Sequence, residues 1–149
     1  MTKNPAAVRC AMFAAAAWLT AGAPAAAQTY IGQYSANPFA PRSTAAPGSA
    51  FDPNSVNNPA GRYGSPLSPS SARNPSATDA PKLYDSAGRY RGKLSANPFD
   101  PESVANPYGR YGSRYSPDSV NNPYGAGSPF APESPHNPFG TGLRIHGAK

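Results

Sequence analysis

The spacing of proline constrains this chain more than any other feature. Six times, two prolines stand six residues apart: Pro41 and Pro47, Pro53 and Pro59, Pro69 and Pro75, Pro101 and Pro107, Pro117 and Pro123, Pro132 and Pro138. Proline has no N–H to donate and pushes the residue before it out of the helical region. Between paired prolines at most one turn of helix fits, and a central strand is excluded. The fold class expected is therefore mostly coil and turns with little regular secondary structure.

The prolines belong to a repeated phrase, aromatic-x-Pro-x-Ser-x-x-Asn-Pro, which begins at Phe39, Phe51, Leu67, Phe99, Tyr115 and Phe130. Serine follows the first proline by two residues in every copy. Asparagine precedes the second proline in five copies, Ala46 replaces it in the first, and Leu67 replaces the aromatic in the third. Over these units lies a longer duplication. "YIGQYSANPFAP" from Tyr30 matches "YRGKLSANPFDP" from Tyr90, sixty residues on. The organisation that follows is a leader at 1–27, a degenerate Pro/Asn/Ser module at 28–75 and a linker with the start of a hairpin at 76–89. A full repeat module at 90–140 and a basic tail at 141–149 complete it.

Each unit reads as local turns. In "SPDSV", Ser116 suits a cap, Pro117 the first helical position and Asp118 the positive end of a helix. Asn122 before Pro123 stops that turn. "NPYG" then reads as a type I turn with Asn first, Pro second and Gly fourth. A small stacked-turn repeat of 15 to 16 residues per unit is the structured alternative to coil. Two segments differ. "LYDSAGRYRGKL" predicts a short β-hairpin near residues 83–91, with its turn at Asp85–Gly88 and Tyr84 packed near Tyr90. In "PFAPESPHNPFG", Pro129, Pro132, Pro135 and Pro138 recur every third residue. That is the period of polyproline II, which would set these rings on one face; plain Pro-rich coil is the reading preferred over it.

Residues 1–27 read as an export signal with its own helix. Lys3 and Arg9 lead, Cys10 to Ala21 is apolar, and Ala25-Ala26-Ala27 offers cleavage after Ala27. A membrane anchor needs an unbroken apolar run of about 18 residues, and Gly22 and Pro24 interrupt this one. Export to the periplasm or the extracellular space is the expectation. The only cysteine, Cys10, lies inside that leader, so the exported part has no disulfide to staple it. Its residues 28–149 hold nine Leu, Ile and Val and five Phe, a share below the ~20% at which a core becomes doubtful. They keep 11 Lys and Arg against 7 acids, net +4, and all nine tyrosines.

Catalytic chemistry finds little to use. A nucleophile needs a base beside it, whereas the serines sit in turns and His136 and His146 stand near the end as solvated tail residues. No metal-binding motif, phosphate loop or nucleophile elbow is present, and Asp100 and Glu102, split by Pro101, lack a calcium loop's ladder of oxygens. No catalytic residue, cofactor or metal ligand is assigned, and the chain is read as a non-enzyme. Binding has better material in Arg62-Tyr63, Arg89-Tyr90, Arg110-Tyr111 and Arg114-Tyr115. Such pairs suit single-stranded nucleic acid, but modest charge and export disfavour that partner. Stacking of each arginine on its tyrosine within the repeat is the alternative.

At "NPYGRYGS" and "YSPDSVNNPYGAGSP" the sequence resembles small exported bacterial proteins with tandem Asn-Pro-Tyr-Gly units. The likeness covers 83–140 well and 30–75 loosely, and it implies an envelope or secreted protein with no enzyme activity to carry over. The function expected is a non-catalytic exported repeat protein acting through repeated weak Tyr and Arg contacts with an envelope protein or polymer. The alternative is binding of an anionic or carbohydrate cell-wall polymer. In "SANPFDPESVANPYGRYGS" the prolines, serine, asparagine and glycines have turn roles, which leaves Phe99, Tyr108, Arg110 and Tyr111 as candidate contacts. Arg114, Tyr115 and Tyr124 join them in the next unit.

Overall fold

The computed structural model describes residues 28–148. The leader, its helix and cleavage at Ala27 lie outside the described residues. Four short strands make one antiparallel sheet: β1 Gln28–Tyr34, β2 Lys82–Tyr84, β3 Tyr90–Lys93 and β4 Leu143–Ala148, in the order β1-β4-β2-β3. Among the described residues the one helical element is a single 3-10 turn at Ser49–Phe51. Everything else described is turn, bend or coil, in keeping with a chain punctuated by proline.

The hairpin is β2 and β3, with Tyr84 opposite Tyr90 and their rings edge to face at 5.7 Å. Its turn is held at both ends of Asp85, whose N–H donates to the Arg89 carbonyl and whose carbonyl accepts from the Gly88 N–H. The two remaining strands were not expected. The segment expected to be a basic tail is β4, an inner strand paired with β1 from Gln28↔Ala148 to Tyr34↔Leu143 and with β2 through Leu83↔Ile145. Leu143 and Ile145 alternate with Arg144 and His146, so one side is buried and the other faces out. His146 is thus a sheet residue, set between the rings of Tyr30 and Tyr84, and not a solvated tail group.

The buried side of the sheet carries Ile31, Leu83, Leu143 and Ile145, and the turns cover it with Val56, Tyr63, Val104 and Val120. The three valines each follow a repeat serine. The core is small but drawn from every part of the described chain, so neither module encloses a core alone.

Between strands, turns follow one another every three residues. In residues 100–109 the N–H groups of Ser103, Asn106 and Gly109 donate to the carbonyls of Asp100, Ser103 and Asn106 at 3.0 to 3.2 Å. The side chains of those same opening residues accept the N–H groups of Glu102, Ala105 and Tyr108 at 2.9 to 3.0 Å. The Val104 N–H donates to the Lys93 carbonyl on β3. Every N–H from Glu102 to Gly109 therefore has an acceptor, and Pro107 occupies a turn position that needs none.

Asparagine then closes the loop. Its Nδ2 donates to the carbonyl six residues back in five units, from Asn58, Asn74, Asn106, Asn122 and Asn137, at 2.9 to 3.2 Å. The following glycine lies on the carbonyl of the unit's first proline: a Cβ on Gly109 would stand 2.9 Å from the Pro101 oxygen, and one on Gly140 would stand 2.5 Å from that of Pro132. Glycine is required there by this close approach.

The same arrangement corrects the polyproline reading of 129–138. Ala131, Ser134, Asn137 and Gly140 each donate to the carbonyl three residues back at 3.1 to 3.2 Å, whereas polyproline II has no internal hydrogen bonds. Pro135 is buried, while Pro129, Pro132 and Pro138 are exposed, so the rings do not share a face.

Candidate functional site

Two aromatic surfaces stand out, and the turn geometry creates the first. At six corners the residue ahead of the closing N–H, as Tyr108 ahead of Gly109, carries a side chain that leaves the surface. In all, nine large apolar side chains on the turns are 87 to 96% exposed: Phe39, Phe51, Leu67, Phe99, Tyr108, Tyr115, Tyr124, Phe130 and Phe139. They fall into two sequence rows. Six open the repeat phrase, from Phe39 to Phe130; three follow the Asn-Pro that closes a phrase, at Tyr108, Tyr124 and Phe139. Full burial of one such side chain releases about 1.5–3 kcal/mol. The fold draws almost none of that, so the corners stand without them.

Among the candidates read from sequence, Phe99, Tyr108, Tyr115 and Tyr124 belong to these corners, and Arg114 is exposed beside Tyr115. Arg110 is also exposed, but its Nε and Nη2 both lie 2.7 Å from Asp118 Oδ2 and its guanidinium lies over the Tyr111 ring at 5.6 Å. Tyr111 differs from its neighbours. It is half-buried, packs against the core and meets Tyr90 edge to face at 5.6 Å. A Cβ on Gly92 would stand 2.7 Å from Tyr111 Cβ, which shows how closely this ring lies over β3. Arg62 stacks on Tyr63 as Arg110 does on Tyr111.

The second surface is the outward side of the sheet, and residue pairing defines it. Across β1, β4, β2 and β3, one rank reads Tyr30, His146, Lys82, Lys93 and the next reads Gln33, Arg144, Tyr84, Tyr90. Rings connect edge to face diagonally through both ranks, from Tyr30 to His146, Tyr84, Tyr90 and Tyr111. Their centroids lie 5.2 to 5.8 Å apart and their planes 62 to 80° apart. Sequence reasoning found only the Tyr84–Tyr90 part. The alternation in "LRIHGA" was the available signal for the rest.

No family model, curated protein or solved structure matches the chain. Its function is therefore argued from these two surfaces and the groups around them.

Arg42, Arg89, Arg91, Lys93 and Arg110 are paired with carboxylates inside the molecule. Asp85 is fully buried between the guanidinium groups of Arg89, at 2.7 Å, and Arg91, at 3.2 Å. Burial alone would raise its carboxyl, but the Arg89 N–H, both guanidinium groups and the charge of Arg89 outweigh that and hold it below the ordinary value. Arg91 also reaches Asp118 at 3.3 Å. Lys93 bonds Glu102 at 2.8 Å and Asp100 at 3.3 Å, and the Glu102 bond is the main reason its ammonium is raised. Partial burial first, and then the charge of Arg144, lower His146. A cleft of about 470 Å³ opens beside Arg91 over Val120 and Leu143. Its charged rim is already engaged: Arg91 by two carboxylates, and Glu133 by the N–H and hydroxyl of Ser86.

Proposed function

We propose that this chain is a non-catalytic exported protein of the cell envelope or extracellular space, acting through many weak contacts made by its turn corners. The observation that carries this reading is the set of nine large apolar side chains held on separate corners at 87 to 96% exposure. Corners such as those of Tyr108, Tyr124 and Phe139 close their backbone hydrogen bonds without these side chains, so the side chains are free for contact. Joined on one scaffold, weak contacts gain from high effective concentration. Attraction by charge contributes less at these corners, because Arg110 is already held by Asp118. Export rests on the leader-like composition of residues 1–27.

The test replaces Phe99, Tyr108, Tyr124 and Phe139 by serine, singly and together, and measures retention of the purified protein on sedimented cell envelope. Each exposed single change is expected to alter stability by no more than about 0.5 kcal/mol. Each should weaken retention a few-fold, and the quadruple variant far more. Retention of the quadruple variant at the level of the parent rejects the reading. Replacing residues 1–27 by a cytoplasmic start should leave the protein inside the cell; secretion that persists rejects the export part.

A further inference from the structure

We propose that the outward side of the sheet is a binding site for an anionic polysaccharide whose sugars carry carboxylates. This deepens the preceding reading and takes from it only that the ligand is met outside the cytoplasm. The site uses no turn-corner residue.

The first support is a preformed strip of rings. Five aromatic side chains cross all four strands in edge-to-face contact, a span of roughly 14 Å over three inter-strand spacings. Rings locked against one another lose little freedom on binding. Aromatic rings take the C–H faces of sugars. The hydroxyls of Tyr30 and Tyr84 and the imidazole of His146 offer the neutral donors and acceptors that a hydroxyl-rich ligand needs. Gln33 Oε1 and Tyr90 Oη are buried beneath this layer with no internal hydrogen-bond partner and are not themselves ligand contacts.

The second support is charge. Elsewhere Arg42, Arg89, Arg91, Lys93 and Arg110 each bond a carboxylate. Lys82 and Arg144, like Arg73 and Arg114, take part in none of the ion pairs among the described residues, and these two alone of the four stand on the adjoining inner strands. The arrangement alternates, with Lys82 opposite His146 and Arg144 opposite Tyr84. Cation and ring are thus neighbours both along and across the strands. A ligand that repeats sugar ring and carboxylate matches this alternation. An acidic peptide would use the cations and leave the rings idle. A bilayer calls for apolar insertion, which polar-ended side chains on a short sheet do not supply.

Calorimetry of the purified protein with alginate oligosaccharides tests this, with neutral dextran and polyglutamate as comparators. Alginate should bind tightest, and added salt should weaken it as screening grows. The double variant Lys82→Gln, Arg144→Gln should lose roughly tenfold in affinity, the sum of two exposed charge contacts. Neither residue has an internal ionic partner to lose, so the fold should remain intact. Tyr84→Leu, with its fold checked by tyrosine circular dichroism, should weaken alginate and leave polyglutamate unchanged. The corner variants should bind alginate like the parent, which separates this site from the preceding reading. The proposal is overturned if alginate does not bind at low salt, if the double variant binds it unchanged, or if polyglutamate binds as tightly as alginate.

Discussion

The two modules use one backbone and present different side chains. After β1, Gln33 donates to the Arg42 carbonyl at 3.0 Å and accepts from Thr44 at 2.9 Å; after β3, Lys93 donates to the Glu102 carbonyl at 2.8 Å and accepts from Val104 at 3.0 Å. Gln33 bridges Ser43 as Lys93 bridges Ser103, and those serines donate to the carbonyls of Ser35 and Ser95 at 3.0 and 2.9 Å. Yet Ile31 lies in the core where Arg91 binds Asp85 and Asp118. The first module carries three of the exposed large apolar side chains and the second six. In the row that follows Asn-Pro, Ala60 and Ser76 stand where the second module has Tyr108, Tyr124 and Phe139. Turn-forming residues fix the scaffold, and corner residues vary freely because no packing depends on them.

The most severe way to break this comparison is to remove what the modules share. Leu83→Ala opens the core between them, with an expected loss of about 2–5 kcal/mol. Urea unfolding followed by amide exchange should show protection falling in both modules together. Protection lost in one module alone would mean that they fold separately. Next come Asn58→Ala and Asn106→Ala, made in parallel. Each removes a side chain that accepts one turn N–H and donates to a carbonyl six residues back. Each is expected to cost about 1–3 kcal/mol. Near-equal losses support one backbone device in both modules; a negligible cost at Asn58 would confine it to the second.

The smallest effect concerns a group in the hairpin that leads into the second module and has no counterpart before the first. Asp85 titrates below its unfolded value, so the folded state binds fewer protons than the unfolded state at mildly acidic pH. Its contribution is complete above the ordinary carboxylate value of 3.8 and is lost as pH falls through the lower folded value. Asp85→Asn should therefore destabilise the protein at pH 7, and the gap between variant and parent in urea midpoint should close below pH 4. A gap that stays constant across that range would show that Asp85 contributes through shape alone.

Several elements were legible because their causes are local. Asn-Pro-Tyr-Gly forms a turn wherever it occurs, and Asp85–Gly88 makes the hairpin that its sequence implies. The three-residue beat of the turns was also present, as Asp100, Ser103, Asn106, Gly109 and Gly112, but the six-residue spacing of prolines drew the reading towards two reversals per unit. Tyr111 is grouped with Tyr108 in the sequence because neither has a role in the turn backbone. One points off a corner and the other lies over β3, a difference set by the phase of the coil and not by the neighbouring residues.

The sequence by itself determined that residues 28–148 have almost no helix, that they turn at each Asn-Pro, and that their aromatics outnumber what a small core can hold. Those follow from proline's missing donor and from side chains that bond their own backbone. Only the tertiary structure decided that residues 143–148 pair with 28–34 and 82–84, that rings join into a strip across the sheet, and that Lys82 and Arg144 stand on adjoining strands beside it. Those are contacts between distant segments. Their register is set by which side of a strand is buried, and burial exists only once the chain has closed on itself.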